Sequence, residues 1–347
     1  VEFQCILVGN LLNKSRIVST ARDPVQPTTC FGCCGAVPPP GSSVKALVDP
    51  AEVRKNILTD LDTEPWQEYF WNPYTGSLLR LSWEASKLPP DGVADGDPSS
   101  SAAGAPKLKF LDLWPQKLPL LGEDARWSVD GCVRVIDTAF GDVENAIQQD
   151  QFTDDDMFYL EYASESVFLS YFIPVDPALN NVVKALRVVA TVAKRLRDSD
   201  APYKLDLPCE FRFVRGSSRA VLSPIYTEGV QDPAAGPLFM SIEVPTFTGG
   251  SIDPTLAKQD GAPMRSWLAA FEEIEQGFKA VSPKAQPHYA KFYGLKRDAG
   301  GRYSTFDPAV SRGIVPEARK AQFRAAMARL DPTGVFENNF GKHLVGA

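Results

Sequence analysis

An acid and a base stand two positions apart in the apolar segment "PCEFRFVRGSSRAVLSP", residues 208–224. Successive side chains of a strand point to opposite faces, so Glu210 and Arg212 share one face and their aromatic neighbours occupy the other. If the pair faces water, it contributes about 0 to 1 kcal/mol of stability. If it lines a site, the carboxylate fixes a guanidinium that cannot lose its proton, which suits electrostatic catalysis.

Four further ionisable residues could take part in chemistry. His288 lies in "PHYAKFYGL", where Lys291 follows three residues later beside two aromatic residues, although a solvated loop would carry the same two charges. Glu243 alternates with apolar residues in "LFMSIEVPTF", so it faces either a cavity or an edge of the sheet. The second histidine, His343, lies in the tail "FENNFGKHLVGA", where a surface or C-terminal role is favoured.

Common hydrolytic, zinc and nucleotide motifs are missing from the sequence. No serine lies in a nucleophile-elbow pattern, no pair of histidines with a glutamate offers a zinc site, and no glycine-rich phosphate loop occurs. The cluster "CFGCC" contains Cys30, Cys33 and Cys34, but no second cysteine pair follows. Structural thiols are therefore favoured over a metal site.

The charge of the chain limits its partners. Its 43 acidic and 36 basic residues give a formal net charge of −7, and they are scattered along the chain. This argues against nucleic acid or an anionic membrane as the main partner. No apolar run approaches the roughly 18 residues of a membrane-spanning helix, so no transmembrane segment is predicted. The 347 residues suit one large domain or two ordinary ones.

Apolar periodicity predicts four helices separated by strand-like segments. A helix beginning near Asp49 would carry Val53, Ile57, Leu58 and Leu61 on one face, and further helices are predicted over 177–198, 263–281 and 316–330. Segments rich in β-branched and aromatic residues predict strands, among them "QEYFWNPYTGSLLRLSW", "KLKFLDLWP" and "MFYLEYASESVFLSYFIPV", the last of which predicts two. This order predicts an α+β fold with a large mixed or antiparallel sheet covered by helices.

Four segments in one order resemble a flavoprotein family. "EYFWNPYT", "EFRF", "PHYAK" and "RLDPTGVFENNF" are similar to the C-terminal two thirds of FAD-dependent oxidases of the vanillyl-alcohol oxidase superfamily. The aldonolactone and alditol oxidase branch looks most similar, with segments that read "PHWGK" and "LDPxGxF". The flavin-linked cholesterol oxidases also have an acid-x-arginine strand and a proline-containing aromatic hairpin.

The resemblance implies a division of the chain into parts of a two-domain flavoprotein. Residues 1–25 would end the FAD-binding domain, 26–48 would be a linker, and 49–315 would form the substrate-binding or cap domain. Within the cap domain, the low-complexity segment 89–106 is expected to be a flexible insertion. Residues 316–347 would return to the FAD domain, most of which is expected upstream or on a companion chain.

The resemblance also implies roles for individual residues. The family's acid-x-arginine strand and its lysine face substrate and flavin, and the matching catalytic residues are Glu210, Arg212 and Lys291. Expected contacts with substrate come from His288, Glu243 and Tyr289. The asparagine of the family's "LNP" motif matches Asn338 or Asn339 in "ENNF", which predicts contact with FAD.

Two functions from different classes are compatible with these residues. The first is the substrate-binding part of an oxidase that transfers hydride from a CH–OH group to FAD, with a sugar lactone or polyol as substrate and a sterol as second choice. The alternative is a cap domain that has lost its flavin half and acts as a non-catalytic subunit or binding module. The retained ion pair counts against the alternative, since a buried pair is costly to keep.

Overall fold

A computed structural model describes residues 15–17, 43–63, 66–85, 133, 136, 140, 166–199, 204–247, 262–297, 303–304, 313–335 and 338–346. The chain divides into two compact units. The N-terminal unit comprises Glu2–Glu165 with Asp206–Pro208, and the C-terminal unit comprises Ser166–Leu205 and Cys209–Ala347. The cysteine cluster at 30–34, the insertion at 89–106 and the strand predicted at 107–115 lie outside the described residues.

The described residues of the N-terminal unit include one helix with its full span and three antiparallel strands. They are α1 (Pro50–Thr63), β1 (Ser15–Ile17), β2 (Trp66–Trp71) and β3 (Leu78–Ala85). Strand β3 pairs with β1 on one side and with β2 on the other. The predicted turn between β2 and β3 is confirmed: the Asn72 carboxamide oxygen accepts a hydrogen bond from the backbone N–H of Tyr74 at 3.0 Å, and Gly76 adopts φ 77°.

Helix α1 begins where the sequence predicts. The Asp49 carboxylate accepts a hydrogen bond from the backbone N–H of Ala51 at 2.8 Å, which caps the helix. Val53 and Ile57 are fully buried, whereas Leu58 is 39% exposed. The prediction that Leu58 belongs to the buried face is therefore wrong. Each helical residue is rotated by about 100° from the last, so a face centred on 53 and 57 leaves 58 at its margin.

The described residues of the C-terminal unit include four neighbouring strands of one sheet and the four helices named below. The strands are β4 (Ser166–Pro174), β5 (Cys209–Arg215), β6 (Leu238–Phe247) and β7 (Gln286–Pro287), in the order β5-β6-β4-β7. The helices are α2 (Asn180–Asp198), α3 (Ala262–Val281), α4 (Glu317–Leu330) and α5 (Asn339–Val345). A small hairpin adds β8 (Lys296–Arg297) and β9 (Tyr303–Ser304).

The pairings between these strands are all antiparallel in the described part of the chain. The predicted α+β class, with an antiparallel sheet and covering helices, is confirmed. Helices α2, α3 and α4 match their predicted spans closely, whereas α5 was not predicted because only seven residues carry it. No helix of the described ranges combines the length and the apolarity that crossing a membrane would need.

One face of the sheet packs against α2 and α3. From β4, the Tyr171 ring lies 5.8 Å from that of Phe278 on α3. Strand residues on this face are essentially buried, as are the residues that the apolar spacing of α2 predicted for its inner face. Those helix residues are Val182, Val183, Leu186, Val189, Ala190, Ala193 and Leu196. The C-terminal unit therefore has two layers, and the opposite strand face is free to carry polar groups.

Candidate functional site

A row of polar side chains crosses the sheet on the face that points away from α2 and α3. The strand register places Glu210 of β5 opposite Glu243 of β6, and Glu243 opposite Ser170 of β4. The next row toward the end of β5 contains Arg212 and Ser241. These five residues are here called the polar face. Glu210 and Glu243 are 8% and 7% exposed, so two carboxylates lie nearly buried side by side.

Each carboxylate of the row has a partner on the polar face. Glu210 forms an ion pair with Arg212, whose side chain is 46% exposed. The Ser170 hydroxyl donates a hydrogen bond of 3.3 Å to Oε1 of Glu243. The acid-base pair predicted from the sequence thus shares one face, but its two members differ: the acid is buried and the guanidinium reaches toward solvent.

Residues 287–295, which begin with the last residue of β7, run along the edge of β4 and are here called the edge segment. The backbone N–H of His288 donates to the carbonyl of Ser170 at 2.9 Å, and that of Phe292 donates to the carbonyl of Phe168 at 2.8 Å. Between them, the N–H of Lys291 closes a turn on the carbonyl of His288 at 3.0 Å. This backbone pairing fixes the edge segment along the strand that carries Ser170.

Two side chains of the edge segment reach the polar face. Nζ of Lys291 lies 3.7 Å from Oε2 of Glu243 and 4.1 Å from the centroid of the Phe168 ring. The imidazole of His288 stacks on Phe172, with 5.7 Å between ring centroids and 19° between planes. The structure therefore brings His288 and Lys291 to Glu243, although 45 or more residues separate them in the sequence.

Burial and the charges of the cluster together shift two pKa values. Burial, followed by the negative charge of Glu210, raises the pKa of Glu243, while Lys291 and Arg212 act in the opposite direction. Burial lowers the pKa of His288; Glu243 opposes this effect, and Lys291 adds to it. The ring nitrogen Nδ1 of His288 accepts a hydrogen bond from the backbone N–H of Ala290 at 3.2 Å. The neutral imidazole therefore carries its proton on Nε2, which is left as a donor.

Tyr289 and the asparagines have other contacts. The ring of Tyr289 lies 6.5 Å from that of Tyr293, and burial raises the pKa of Tyr289 to about 12, while the charge of Arg319 lowers it. The Asn338 side chain accepts a hydrogen bond from the N–H of Gly341 at 2.8 Å and caps α5. Both asparagines are exposed. The expected roles of Tyr289, Asn338 and Asn339 in substrate or FAD binding remain predictions.

The aromatic residues and serines of β4 were missed by sequence reasoning. Phe168 and Phe172 lie on the same strand face as Ser170, because every second residue of "SVFLSYFIP" points to the same side. That alternation was a usable signal, since a serine stands between two aromatic residues on one face. In the described ranges, no group of three or more histidine, cysteine or acidic side chains is placed to hold a metal ion.

Comparison with known proteins finds solved structures of similar fold but no match by sequence. No protein-family model matches the sequence, and no curated protein matches it. The structure resembles a solvent-stable cholesterol oxidase, with a TM-score of 0.51 at 14% identity, and the cholesterol oxidase from B. sterolicum, with a TM-score of 0.52 at 13% identity. Each match covers 95% of this chain and 59% of the solved chain.

The fold of this chain is therefore that of part of the cholesterol oxidases. The resemblance to that group, predicted from the acid-x-arginine strand, is confirmed at the level of the fold. The aldonolactone and alditol branch receives no support from the solved structures. The chain spans about three fifths of the length of these neighbours.

Proposed function

We propose that this chain is the substrate-binding part of an FAD-dependent oxidoreductase that converts a CH–OH group into a carbonyl. The observation that carries the proposal is the row Glu210–Glu243–Ser170, nearly buried on the sheet face away from the helices, with Arg212 and Lys291 beside it. Two carboxylates buried side by side are costly to the folded chain. A binding or catalytic use accounts for keeping them.

The two carboxylates suit different tasks. Glu210 is engaged by Arg212, and we infer that it orients this guanidinium. Glu243 has only a 3.7 Å contact with Lys291 and a hydroxyl donor from Ser170, so it is the better acceptor for the proton of a substrate hydroxyl. A carboxyl pKa raised toward the working pH suits a general base. Nε2 of His288 would donate a hydrogen bond to the same oxygen.

The residues present fit a flavin in one respect. The Arg212 side chain is 46% exposed and cannot lose its proton, so it would hold positive charge beside a group that gains electrons. Bound FAD would supply the acceptor for the carbinol hydrogen and its electron pair. This chain's residues would bind the alcohol and take its hydroxyl proton on Glu243. Lys291 would lie nearby and stabilise the negative charge that develops on the substrate oxygen.

The surroundings of the row favour a substrate with one hydroxyl on an apolar body. Phe168 and Phe172 lie on the same strand face as Ser170, and the His288 ring lies on Phe172. Aromatic surfaces beside one polar row suit a flat hydrocarbon skeleton better than a polyol, whose other hydroxyls would lose water without compensation. A sterol-like alcohol is therefore the substrate that we favour over a sugar lactone. An FAD-binding domain, upstream or on a companion chain, would complete the enzyme.

A visible spectrum and turnover assays test this proposal on the full protein, purified with everything that accompanies it. Flavin absorbance is expected, together with oxidation of a sterol in preference to a sugar lactone or alditol. Arg212→Met should lower turnover by about two to three orders of magnitude, the usual effect of removing one electrostatic partner of a transition state. Arg195→Met, which removes an exposed ion pair with Glu273 on the surface of α2, serves as the control.

Either of two results would contradict the proposal. One is the lack of both flavin absorbance and any FAD-binding polypeptide in the purified material, which would favour the non-catalytic cap. The other is wild-type turnover in Arg212→Met. Preference for a lactone or polyol would overturn the substrate class alone.

A further inference from the structure

A buried carboxylate on α3 connects the helices to the edge segment. Glu275 is 1% exposed and lies on the side of the sheet opposite to the polar face. It does not belong to the row of Glu210 and Glu243, and the proposed chemistry does not use it. An ionised carboxylate is costly in such a place unless several donors surround it.

Four donors meet the Glu275 carboxylate. Oε1 accepts hydrogen bonds from the Tyr171 hydroxyl, from Nζ of Lys279 at 2.8 Å and from the backbone N–H of Gly294 at 2.7 Å. Oε2 accepts from the backbone N–H of Leu295 at 2.9 Å. Burial raises the pKa of Tyr171, and the nearby charge of Glu275 raises it further, so this hydroxyl keeps its proton as a donor.

The two backbone donors belong to the edge segment. This segment first pairs with β4 through His288 and Phe292, then turns at Gly294, which adopts φ 65°, and delivers two consecutive N–H groups to Glu275. Its side chains point to both sides of the sheet. Lys291 contacts the polar face, whereas the Phe292 ring meets Trp267 of α3 at 5.7 Å.

We propose that Glu275 is a positioning residue, which holds the far end of the edge segment so that His288 and Lys291 stay at the polar face. Backbone pairing with β4 fixes the start of the segment, and the carboxylate fixes its end from the helix side. This positioning role rests on the proposed function, whereas the contacts between Glu275 and the two backbone N–H groups are independent of it.

Glu275→Gln is the decisive variant. A carboxamide keeps one acceptor oxygen and replaces the other with an NH₂ donor, so either Gly294 or Leu295 loses the oxygen that its N–H contacts. Hydrogen exchange of peptides covering 288–296 should become about tenfold faster or more, as expected for a lost charge-assisted hydrogen bond. The pKa of His288 should rise toward 6.5, its ordinary value, as the stack on Phe172 loosens. Carbon-bound imidazole protons report this titration, and with only two histidines in the chain, His343→Gln assigns them.

Two controls separate positioning from general destabilisation. Tyr171→Phe removes one donor to the same carboxylate and leaves the backbone donors in place, so it should lower stability without moving the His288 titration. Glu273→Gln changes an exposed carboxylate on the same helix and should change neither readout. Equal shifts of His288 in Tyr171→Phe and Glu275→Gln would overturn the proposal.

Wild-type protein provides a test that does not depend on the variant folding. The amides of Gly294 and Leu295 should be protected from exchange, because each donates to a buried carboxylate. Unprotected amides at both positions would overturn the proposal. These measurements need neither flavin nor substrate, so their outcome is distinguishable from that of the turnover assays.

Discussion

At the residue scale, the candidate site combines nearly buried carboxylates with basic side chains that are more exposed. Alternation along β5 was enough to predict that Glu210 and Arg212 share a face. It could not predict that Glu243 would stand directly opposite Glu210, nor that Lys291 would come within 3.7 Å of it, because both depend on the register of strands far apart in sequence.

The titration of His288 reports the charges around it. Glu243 raises its pKa and Lys291 lowers it, although burial dominates and keeps the pKa below 6.5. Glu243→Gln should therefore lower the pKa of His288 further, and Lys291→Met should raise it. Imidazole resonances followed across pH 4 to 8, a range of about two units on either side of an ordinary histidine pKa, measure both shifts.

The test is strict because the two variants should shift the pKa of His288 in opposite directions. Lys284→Met, which changes an exposed lysine just before the edge segment, is the matched control and should leave the titration unchanged. Shifts of the same sign in Glu243→Gln and Lys291→Met would mean that a change in burial, and not charge, dominates, and the described cluster would be wrong.

At the element scale, helices and hairpin turns were the most predictable part of the fold. Helix α2 buries every residue that its apolar spacing indicated, because helix periodicity is written locally. The distance between α2 and α3, in contrast, cannot be predicted from the local sequence of either helix. A Cβ added to Gly277 of α3 would lie 2.4 Å from a methyl carbon of Val188 on α2, so the helices meet where one residue has no side chain.

Gly277→Ala should destabilise the chain although alanine is the better helix former. The gain in helix propensity is about 1 kcal/mol. It is opposed by overlap with Val188, whose β-branched side chain has few alternative rotamers in a helix, and overpacking costs about 1 to 3 kcal/mol. Denaturant unfolding should show a lower free energy of unfolding at an unchanged slope.

The neighbouring exposed position supplies the control for this helix. Gln276→Ala tests propensity without a packing change and should stay within about 0.5 kcal/mol of wild type. A Gly277→Ala protein more stable than wild type would show that the two helices are not in such close contact at this position.

At the scale of the whole molecule, all of the residues placed around the polar face belong to the C-terminal unit. Ionising the buried carboxylates Glu210 and Glu243 lowers the stability of the fold that contains them. The limits predicted for the FAD-binding and cap domains, at residues 25, 48 and 315, remain predictions.

Glu243 should make the folded chain less stable as pH rises. Because its folded pKa lies above the ordinary 4.5, the folded state keeps a proton that the unfolded state has released. Its contribution to the free energy of unfolding therefore falls as pH rises from 4.5 through the raised pKa. Glu243→Gln removes this term, so the stability of the variant relative to wild type should increase across that interval.

Glu317→Gln should behave in the opposite way. Arg324 lowers the pKa of Glu317 below 4.5, so this carboxylate stabilises the folded state above 4.5 and loses that effect as pH falls through the lowered pKa. Thermal unfolding of both variants and wild type between about pH 2 and 8, a range that extends below the ordinary carboxyl pKa and above that of histidine, measures the two trends. Parallel trends would contradict the burial of Glu243.

The sequence by itself determined the α+β class, the amphipathic helices, the turn at Asn72 and the shared face of Glu210 and Arg212. These features depend on residues within a few positions of each other, where helix and strand periodicity act. Leu58 of α1 is exposed although the apolar spacing placed it on the buried face. A local pattern therefore does not decide which residues lie at the centre of that face and which lie at its margin.

Only the tertiary structure decided how those pieces form a cluster. Strand register set Glu243 between Glu210 and Ser170, and the pairing of the edge segment with β4 brought His288 and Lys291 to the same face. The physical reason is that register and edge pairing are chosen by the packing of the whole unit, since a shift of one residue would send every side chain of a strand to its other face.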